Sequence, residues 1–191
     1  MYKFFAYLDR MKFINRWGLM RNVRVENIAE HSHQVSVLAY TLALIENEMY
    51  GGKVNAERAA VIAMFHEAGE VVTGDLPTPV KYFNHEINSA YKDIEKIAED
   101  KLISMLPDFL KEVMKNNIQP NKDEAEYKIV KAADKISAFI KCIEEQKSGN
   151  SEFDMAKQTM EKSIRELNLK SADYFMDNFI EAYYMALDEL L

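Results

Sequence analysis

Apolar side chains recur along this chain every three or four residues, the spacing that places them on one face of an α-helix. The pattern is clearest from about 27 to 50, where Asn27 is a helix N-cap with a glutamate three residues later, and Gly51-Gly52 ends the stretch. The positions that share its apolar stripe are His31, Val35, Leu38, Leu42 and Ile45. This pattern predicts a long helix with His31 facing inward near its start, whereas His33 faces elsewhere.

The same periodicity predicts helices along the rest of the chain. One begins near Asn55 and carries His66, and the others are expected at about 2–13, 84–106, 107–115, 123–148, 152–168 and 171–190. We find no strand-like alternation, no internal repeat and no glycine-rich phosphate loop. We therefore expect an all-α fold in which residues 1–191 form a single domain.

Three of these helices carry apolar stripes whose burial is a further prediction. In the helix at 84–106, the inward side is expected to contain Ile87, Tyr91, Ile94, Ile97, Ala98 and Leu102. The stripes of the last two helices, with Phe175, Phe179 and Tyr183 among them, are interpreted as core or as a subunit interface. An exposed aromatic stripe of this kind would suit a homodimer.

Composition narrows the class of protein. The chain has 191 residues, of which 48% are hydrophobic and 29% charged, as in an ordinary globular domain. Its net charge of −7 argues against a broad basic surface for duplex nucleic acid. No apolar run approaches the roughly 20 residues of a membrane span, and the N-terminal run is too short for a signal peptide. The single cysteine, Cys142, excludes an internal disulfide and fits a cytoplasmic location.

Ionisable residues gather at the end of one apolar run. His66, Glu67 and Glu70 follow seven consecutive apolar residues, and Asp75 lies in the glycine- and proline-containing segment that comes next. Such groups are costly at the end of an apolar helix unless something pairs with them, and a cation is the usual partner of a His/carboxylate cluster. A hydrogen-bonded core histidine beside a solvated helix end would give the same pattern.

Two other positions carry candidate chemistry. Asp134 lies in a helix interior among apolar and small residues, which is unfavourable unless it serves a buried salt bridge or a metal. Arg16-Trp17 is either a surface cation beside a partly buried ring or an anion clamp beside a flat apolar surface, which would suit a nucleotide. The prolines next to Asp75 and Thr78 would hold both in place, and Lys81 follows, where it could meet an anion.

An inward histidine, a His-acid pair and a later inward aspartate, spread over an all-helical chain, resemble the HD-domain superfamily of metal-dependent phosphohydrolases. Further segments resemble its 5′-deoxyribonucleotidase branch, over nearly the whole chain. They are Asn15-Arg16-Trp17, residues 21–24, Glu30-His31-Ser32, residues 74–82 and Asp134. The resemblance implies a helical bundle with a metal site at its centre.

The resemblance also implies roles for individual residues. His31, His66, the acid at position 67 and Asp134 would ligate one divalent ion; their mixed nitrogen and oxygen donors suit Mn, Co, Fe, Ni or Zn. Arg16 would take the substrate phosphate, and Trp17 would pack near the sugar and help to exclude a ribose 2′-hydroxyl. Glu70 and Asp75 would share the water activation and proton transfers. Arg16, Trp17, Asp75, Thr78 and Lys81 form the expected substrate-binding set.

One position departs from the family pattern, which has His-Asp where this chain has His66-Glu67. The extra methylene moves the carboxylate by about 1.5 Å at a site that tolerates distance errors of about 0.2 Å. Three outcomes follow: Glu67 ligates through another rotamer, a water takes its place, or metal affinity and activity fall. We favour ligation, because Arg16, Glu70 and Asp75 are all present.

The leading hypothesis is a metal-dependent phosphomonoesterase that acts on deoxyribonucleoside 5′-monophosphates. The first alternative is a nucleotide-binding protein whose catalysis is impaired by Glu67. The second is a hydrolase of the same superfamily for another nucleotide phosphate ester. The remaining possibility is a helical scaffold without a site.

Overall fold

Long helices form where the apolar stripes predict them. The computed structural model describes residues 1–81 and 83–191; Tyr82, part of one segment that carries the resemblance, lies outside the described residues. The α-helices are α1 (Phe4–Leu8), α2 (Ile28–Tyr50), α3 (Ala56–Phe65), α4 (Glu70–Thr73), α5 (Thr78–Lys81), α6 (His85–Ser104), α7 (Asp108–Ile118), α8 (Ala125–Lys147), α9 (Asp154–Arg165) and α10 (Lys170–Asn178). Short 3₁₀ helices cover Asp9–Phe13, Ser151–Phe153, Ile180–Tyr184 and Leu187–Glu189. The described residues contain no strand, only one isolated bridge between Asn15 and Asn27, so the predicted all-α class is confirmed.

Asparagine side chains fix the starts of three helices around the centre of the molecule. The Asn27 side chain accepts hydrogen bonds from the backbone N–H groups of the first turn of α2, at 3.0 Å each. Asn55 and Asn84 do the same for α3 and α6, at 2.9 and 2.7 Å. At the other end of α2, Gly51 has a φ of 70°, the left-handed conformation that glycine adopts without strain. These caps set the predicted boundaries of α2, α3 and α6.

Two hydrophobic clusters make up the interior. The larger one lies between α2, α3, α8, α9 and α10, and the smaller one lies between α1, the start of α2, α4 and the end of α6. On α2, Ile28 belongs to the smaller cluster and Val35 to the larger one. Likewise, Ala63 belongs to the larger cluster and Ala68 to the smaller one. The residues between these pairs, which include His31 and the 64–67 segment, therefore lie where the two clusters meet.

The predicted inward face of α6 is partly wrong. Tyr91, Ala98 and Leu102 are buried as expected, but Ile94 and Ile97 are 51% and 68% exposed, and Ile87 is also exposed. The reason is that the helices packed most closely against α6, namely α1, α4, α5 and α7, cover one side of it. Among the described residues, half of its apolar stripe therefore stays exposed.

The C-terminal segment also differs from the prediction of one helix over 171–190. α10 ends at Asn178, and 3₁₀ turns follow. The Lys147 ammonium donates to the backbone carbonyls of Tyr183 and Met185, at 3.0 and 2.9 Å. These hydrogen bonds hold the end of the 3₁₀ segment against the C-terminal end of α8.

Two short helices also differ from their predicted extents. The proline-containing segment, expected to be a loop, includes the single helical turn α5, and α7 continues to Ile118, past its expected end. Cys142 is buried, and burial raises the pKa of its thiol to about 12. Among the described residues, no helix combines the length and apolar character needed to cross a membrane.

Candidate metal centre and phosphate site

His31 faces the interior from the first turn of α2. Its Nε2 lies 3.1 Å from Oδ1 of Asp134, which α8 contributes. On the other side of the ring, Nδ1 lies 3.0 Å from the Ser137 hydroxyl, and that hydroxyl donates to Oε1 of Gln34 at 2.6 Å. Because the hydroxyl proton is used on Gln34, His31 Nδ1 is the donor to Ser137, which leaves Nε2 with a lone pair. Burial, together with the nearby Arg16 guanidinium, lowers the pKa of His31 to about 4.

His66 lies directly after α3, as its C-cap residue. Its Nδ1 donates to the Ala63 carbonyl at 2.6 Å, which fixes the ring and again leaves Nε2 with a lone pair. This Nε2 lies 3.2 Å from Oε1 of Glu67 and 3.9 Å from Oδ1 of Asp134. It is buried and has no hydrogen-bond partner within the described chain.

These contacts bring all four sequence-predicted ligands together. One ligand atom each from His31, His66, Glu67 and Asp134 lies within 4.8 Å of the other three. Two imidazole lone pairs and two carboxylates facing one small space repel each other unless a cation lies between them. The donor set, two nitrogens and two oxygens with no thiolate, fits a divalent transition metal.

Glu67 and Glu70 share a turn rather than a helix face. α3 ends at Phe65 and Glu70 opens the separate helix α4, so the turn between the two helices, and not a continuous helix, places Glu70 beside Glu67. Burial alone would raise the pKa of Glu67, but His66, the hydrogen bond from Glu70 and the Arg16 guanidinium outweigh burial and keep it well below its ordinary value. Burial and the adjacent Glu67 carboxylate raise the pKa of Glu70 to about 11. The Glu70 Oε2 atom is buried without a hydrogen-bond partner among the described residues.

Arg16 lies beside the four ligands. Its Nε is 3.6 Å from Oε2 of Glu26, and its Nη1 is buried without a partner in the part of the chain described. Burial alone would lower the pKa of Arg16, but the carboxylates of Glu67, Glu26, Asp134 and Asp75 outweigh burial and raise it. The guanidinium therefore stays charged and has a donor available for an anion.

Trp17 and Asp75 border Arg16. Trp17 has a φ of 60°, uncommon for a residue with a side chain, and its Nε1 donates to Glu26 at 3.3 Å. The indole contacts the Phe153 ring, with centroids 5.2 Å apart. Burial raises the pKa of Asp75, against the opposing effect of Arg16 and of the Trp17 backbone amide. Arg16, Trp17 and Asp75 thus form one wall beside the ligand cluster.

The two remaining predicted substrate residues lie farther along the chain. Thr78 is exposed at the start of α5. Lys81 donates to Oε1 of Glu95 at 2.8 Å and lies 4.7 Å from the centroid of the Tyr91 ring, so it already has a partner. His33 and His85 are exposed, as expected.

Three site residues were not predicted. Glu26 contacts both Arg16 and Trp17, Ser137 orients His31, and Lys131 lies 3.5 Å from Oδ2 of Asp134. Lys131 and Ser137 each lie three residues from Asp134, so helical spacing could have identified them once Asp134 was chosen. Glu26 carried no such signal, because its position depends on the backbone pairing of Asn15 with Asn27.

A cavity of about 420 Å³ opens next to the ligand cluster. His66, Glu67 and Glu70 line it on the cluster side, and Tyr127 and Lys131 line it from α8. Lys81 and Glu95 form part of its opposite side. Of the four candidate ligands, His66 and Glu67 line the cavity, so a small organic molecule in it would lie against their side of the cluster.

A family model and individual relatives match this sequence over nearly its whole length. The family model for "5′-deoxynucleotidase YfbR-like" proteins matches residues 3–183. The proteins named 5′-deoxynucleotidase YfbR from Salmonella paratyphi B and Salmonella newport are each 52% identical over 188 residues. Each of these alignments covers 98% of this chain and 94% of the relative.

Solved structures share the fold. An HD-domain phosphohydrolase from Listeria innocua superposes with a TM-score of 0.84 at 24% identity, over 95% of this chain and 88% of that one. The cyanophage S-2L HD phosphohydrolase DatZ, solved with dA and one catalytic Zn²⁺, gives a TM-score of 0.65 at 16% identity, over 92% of this chain and 95% of that one. At these identities the likeness establishes the helical architecture, and the chemistry is argued below from the residues of this chain.

Proposed function

Because this chain belongs to the YfbR-like 5′-deoxynucleotidase family, we propose that it hydrolyses deoxyribonucleoside 5′-monophosphates to a deoxynucleoside and phosphate. The observation that carries the proposal is the convergence of four candidate ligand atoms within 4.8 Å beside Nη1 of Arg16, a buried nitrogen without a partner among the described residues. A dication and a guanidinium side by side are suited to a phosphate monoester, which carries close to two negative charges near neutral pH.

His31, His66, Glu67 and Asp134 would hold one divalent ion, which we expect to be Mn, Co, Fe, Ni or Zn. When bound, such an ion neutralises phosphate charge and lowers the pKa of water. The hydrogen bonds to Ser137 and Ala63 support this role, because they keep both imidazole Nε2 atoms unprotonated and turned toward the carboxylates.

Arg16 would bind the phosphate through the nitrogen that lacks a partner. Glu26 supports this orientation from one side, because it contacts both the Arg16 guanidinium and the Trp17 indole. Trp17 would pack against the sugar and leave little room for a 2′-hydroxyl. Thr78 and Lys81 complete the proposed substrate set, with Lys81 at the far side of the cavity.

Glu70 and Asp75 would share the proton transfers. Glu70 is next to Glu67 and has a buried oxygen without a partner among the described residues, so it is placed to orient the attacking water. Burial and Glu67 keep it protonated, and a bound cation would have to lower its pKa before it could deprotonate that water. Asp75 is next to Arg16 and the Trp17 backbone, where it would protonate the leaving 5′-oxygen or hold the sugar. Arg16, Glu70 and Asp75 are thus the proposed catalytic residues.

The test is a phosphatase panel on the purified protein with added Mn or Co. We expect phosphate release from dAMP and other deoxyribonucleoside monophosphates and little from AMP, because Trp17 excludes the 2′-hydroxyl. In His31→Ala and Asp134→Ala the release should fall by about a hundredfold or more, together with the metal content by elemental analysis.

His33→Ala is the matched control for His31→Ala, because it removes an exposed imidazole from the same turn of α2. It should keep both metal and activity. Full activity in both His31→Ala and Asp134→Ala would show that the site is elsewhere. Turnover of a cyclic nucleotide or nucleoside triphosphate in place of the monophosphates would favour the other phosphohydrolase hypothesis.

Two further proposals concern the setting of the enzyme. We propose that it acts in the cytoplasm, where a single reduced cysteine is typical. We also propose a homodimer, supported by exposed apolar side chains such as Ile97, Phe109 and Leu187. Light scattering during gel filtration measures the second of these.

A further inference from the structure

Asp134 has two oxygens with different surroundings. Oδ1 lies 3.1 Å and 3.9 Å from the Nε2 atoms of His31 and His66, whereas Oδ2 lies 3.5 Å from the Lys131 ammonium. Lys131 is three residues before Asp134, so α8 presents both side chains from one face. The ammonium therefore lies directly beside the ligand cluster.

The Lys131 side chain is accessible from the cavity. It is 46% exposed, and it lines the 420 Å³ cavity together with His66, Glu67 and Glu70. Its ion-pair distance to Asp134 is long, so at least two of its three N–H donors are available to another acceptor. Of the cavity-lining lysines in the described chain, Lys131 alone contacts a cluster carboxylate, whereas Lys81 is held by Glu95 at 2.8 Å.

The charged groups around the cluster leave one negative charge of a bound phosphate monoester without a positive partner. The carboxylates of Glu67 and Asp134 would balance one dication, and imidazole ligands would add no charge. A phosphate monoester then adds close to two negative charges, of which Arg16 offsets one. Arg16 is itself shared with Glu26, 3.6 Å away. A second cation is needed for balance, and Lys131 is the side chain placed to supply it.

We propose that Lys131 is a second phosphate ligand, which binds the substrate phosphoryl group and the product phosphate from the cavity side while Arg16 binds them from the other side. This inference rests on the proposed function for its substrate, but it can be tested with inorganic phosphate alone. Lys131 would then be a residue that touches the reacting group, rather than one that only orients Asp134.

The experiment compares the metal-loaded parent with Lys131→Met and Lys131→Arg in isothermal titrations with inorganic phosphate, and measures metal content in each sample. We expect Lys131→Met to weaken phosphate binding by about tenfold to a hundredfold with unchanged metal content, as for the loss of one charge-assisted hydrogen bond. Lys131→Arg should recover most of the affinity. Lys128→Met, an exposed lysine one turn earlier on α8, is the matched control and should bind phosphate as the parent does.

Three results would overturn the proposal. They are a phosphate affinity of Lys131→Met within twofold of the parent, a loss of metal in Lys131→Met that explains its weaker binding, and a loaded parent that does not bind phosphate. A parent that binds phosphate through Lys131 but releases none from dAMP would instead refute the proposed function and leave this inference intact.

Discussion

Glu67 is one methylene longer than the aspartate of the family pattern, and its carboxylate still lies among the other three candidate ligands. Its Oε1 lies 3.2 Å from His66 Nε2, and the turn between α3 and α4 carries it there. The longer side chain therefore reaches the space that the two histidines and Asp134 share. This geometry supports the first of the three outcomes expected for this residue, ligation by Glu67 itself.

Shortening this side chain should not improve the site. In Glu67→Asp the carboxylate withdraws by about 1.5 Å, so we expect metal affinity to fall by about tenfold and turnover of dAMP to show no gain. Competition with a chelator measures the affinity, and steady-state assays at saturating metal measure turnover. Glu67→Gln, which keeps the length and removes the charge, is the control. A clear gain of turnover in Glu67→Asp would favour the hypothesis of a nucleotide-binding protein with impaired catalysis.

Two of the four candidate ligands each had a local signal in the sequence. Asp134 was unfavourable in a helix interior, and His31 lay on an apolar stripe. Glu26 had no such signal, since only the tertiary pairing of Asn15 with Asn27 brings it beside Arg16. Whether Glu67 reaches the other three side chains could not be predicted either, because the presence of two histidines and two acids in a sequence does not define the distances between them.

At the scale of the element, α8 anchors the segment that connects the N-terminal helices to α2. Near its C-terminus, the buried Glu145 carboxylate accepts from the backbone N–H groups of Val23 and Arg24 at 2.8 and 3.2 Å. It also accepts from the Asn150 amide at 2.8 Å and pairs with the buried Lys141 ammonium. α8 thus contributes Asp134 to the ligands and also holds the segment that follows Arg16 and Trp17.

This anchor predicts a pH dependence of stability. Burial alone would raise the pKa of Glu145, but Lys141 and the three amide donors lower it from 4.5 to about 2. A carboxylate with a depressed folded-state pKa stabilises the fold above its unfolded-state value, and this contribution is lost as pH falls from 4.5 toward 2. In Glu145→Gln we expect the free energy of unfolding at neutral pH to drop by about 3 kcal/mol.

Urea unfolding of the parent and of Glu145→Gln at several pH values checks this, because the difference between them removes the contribution of the other titrating groups. The difference should be constant above pH about 5 and should shrink as the solution becomes more acidic. Glu144→Gln changes the exposed neighbour and should follow the parent. A difference that does not vary with pH would contradict this role of Glu145.

Elements were predicted best where the sequence also defines their ends. The asparagine caps lie within one residue of the predicted starts of α2, α3 and α6, and Gly51 ends α2 as expected. The inward face of α6 and the length of the last helix were not predicted correctly. Both depend on which elements lie alongside, namely the helices that cover one side of α6 and the end of α8 that holds the C-terminal segment through Lys147.

For the whole molecule, the ligand cluster lies where the two hydrophobic clusters meet. The resemblance stated from the sequence is confirmed by the family match over residues 3–183, and the expected helical bundle by the structural neighbours. The His and acid ligands come from α2, α8 and the turn after α3. A bound ion would therefore connect three parts of the chain that contribute to both clusters.

Metal should consequently stabilise the entire fold. At a free metal concentration of about one hundred times the dissociation constant, binding adds about 2.7 kcal/mol. For a chain of this size that corresponds to a rise in Tm of about 5–10 °C. Thermal unfolding with Mn and with excess chelator measures the shift, which should be absent in His31→Ala and present in His33→Ala. Equal Tm values for the parent under both conditions would show that the cluster does not bind the ion.

The state of Cys142 has a practical consequence for studying this protein. Its thiol is enclosed in the interior and holds its proton well above neutral pH, so maleimide reagents have little to react with in the native protein. A cysteine introduced at an accessible surface position would accordingly be the preferred target for a fluorescent or spin label. Binding of the proposed substrate can thus be tested with a single surface label in a chain that keeps Cys142.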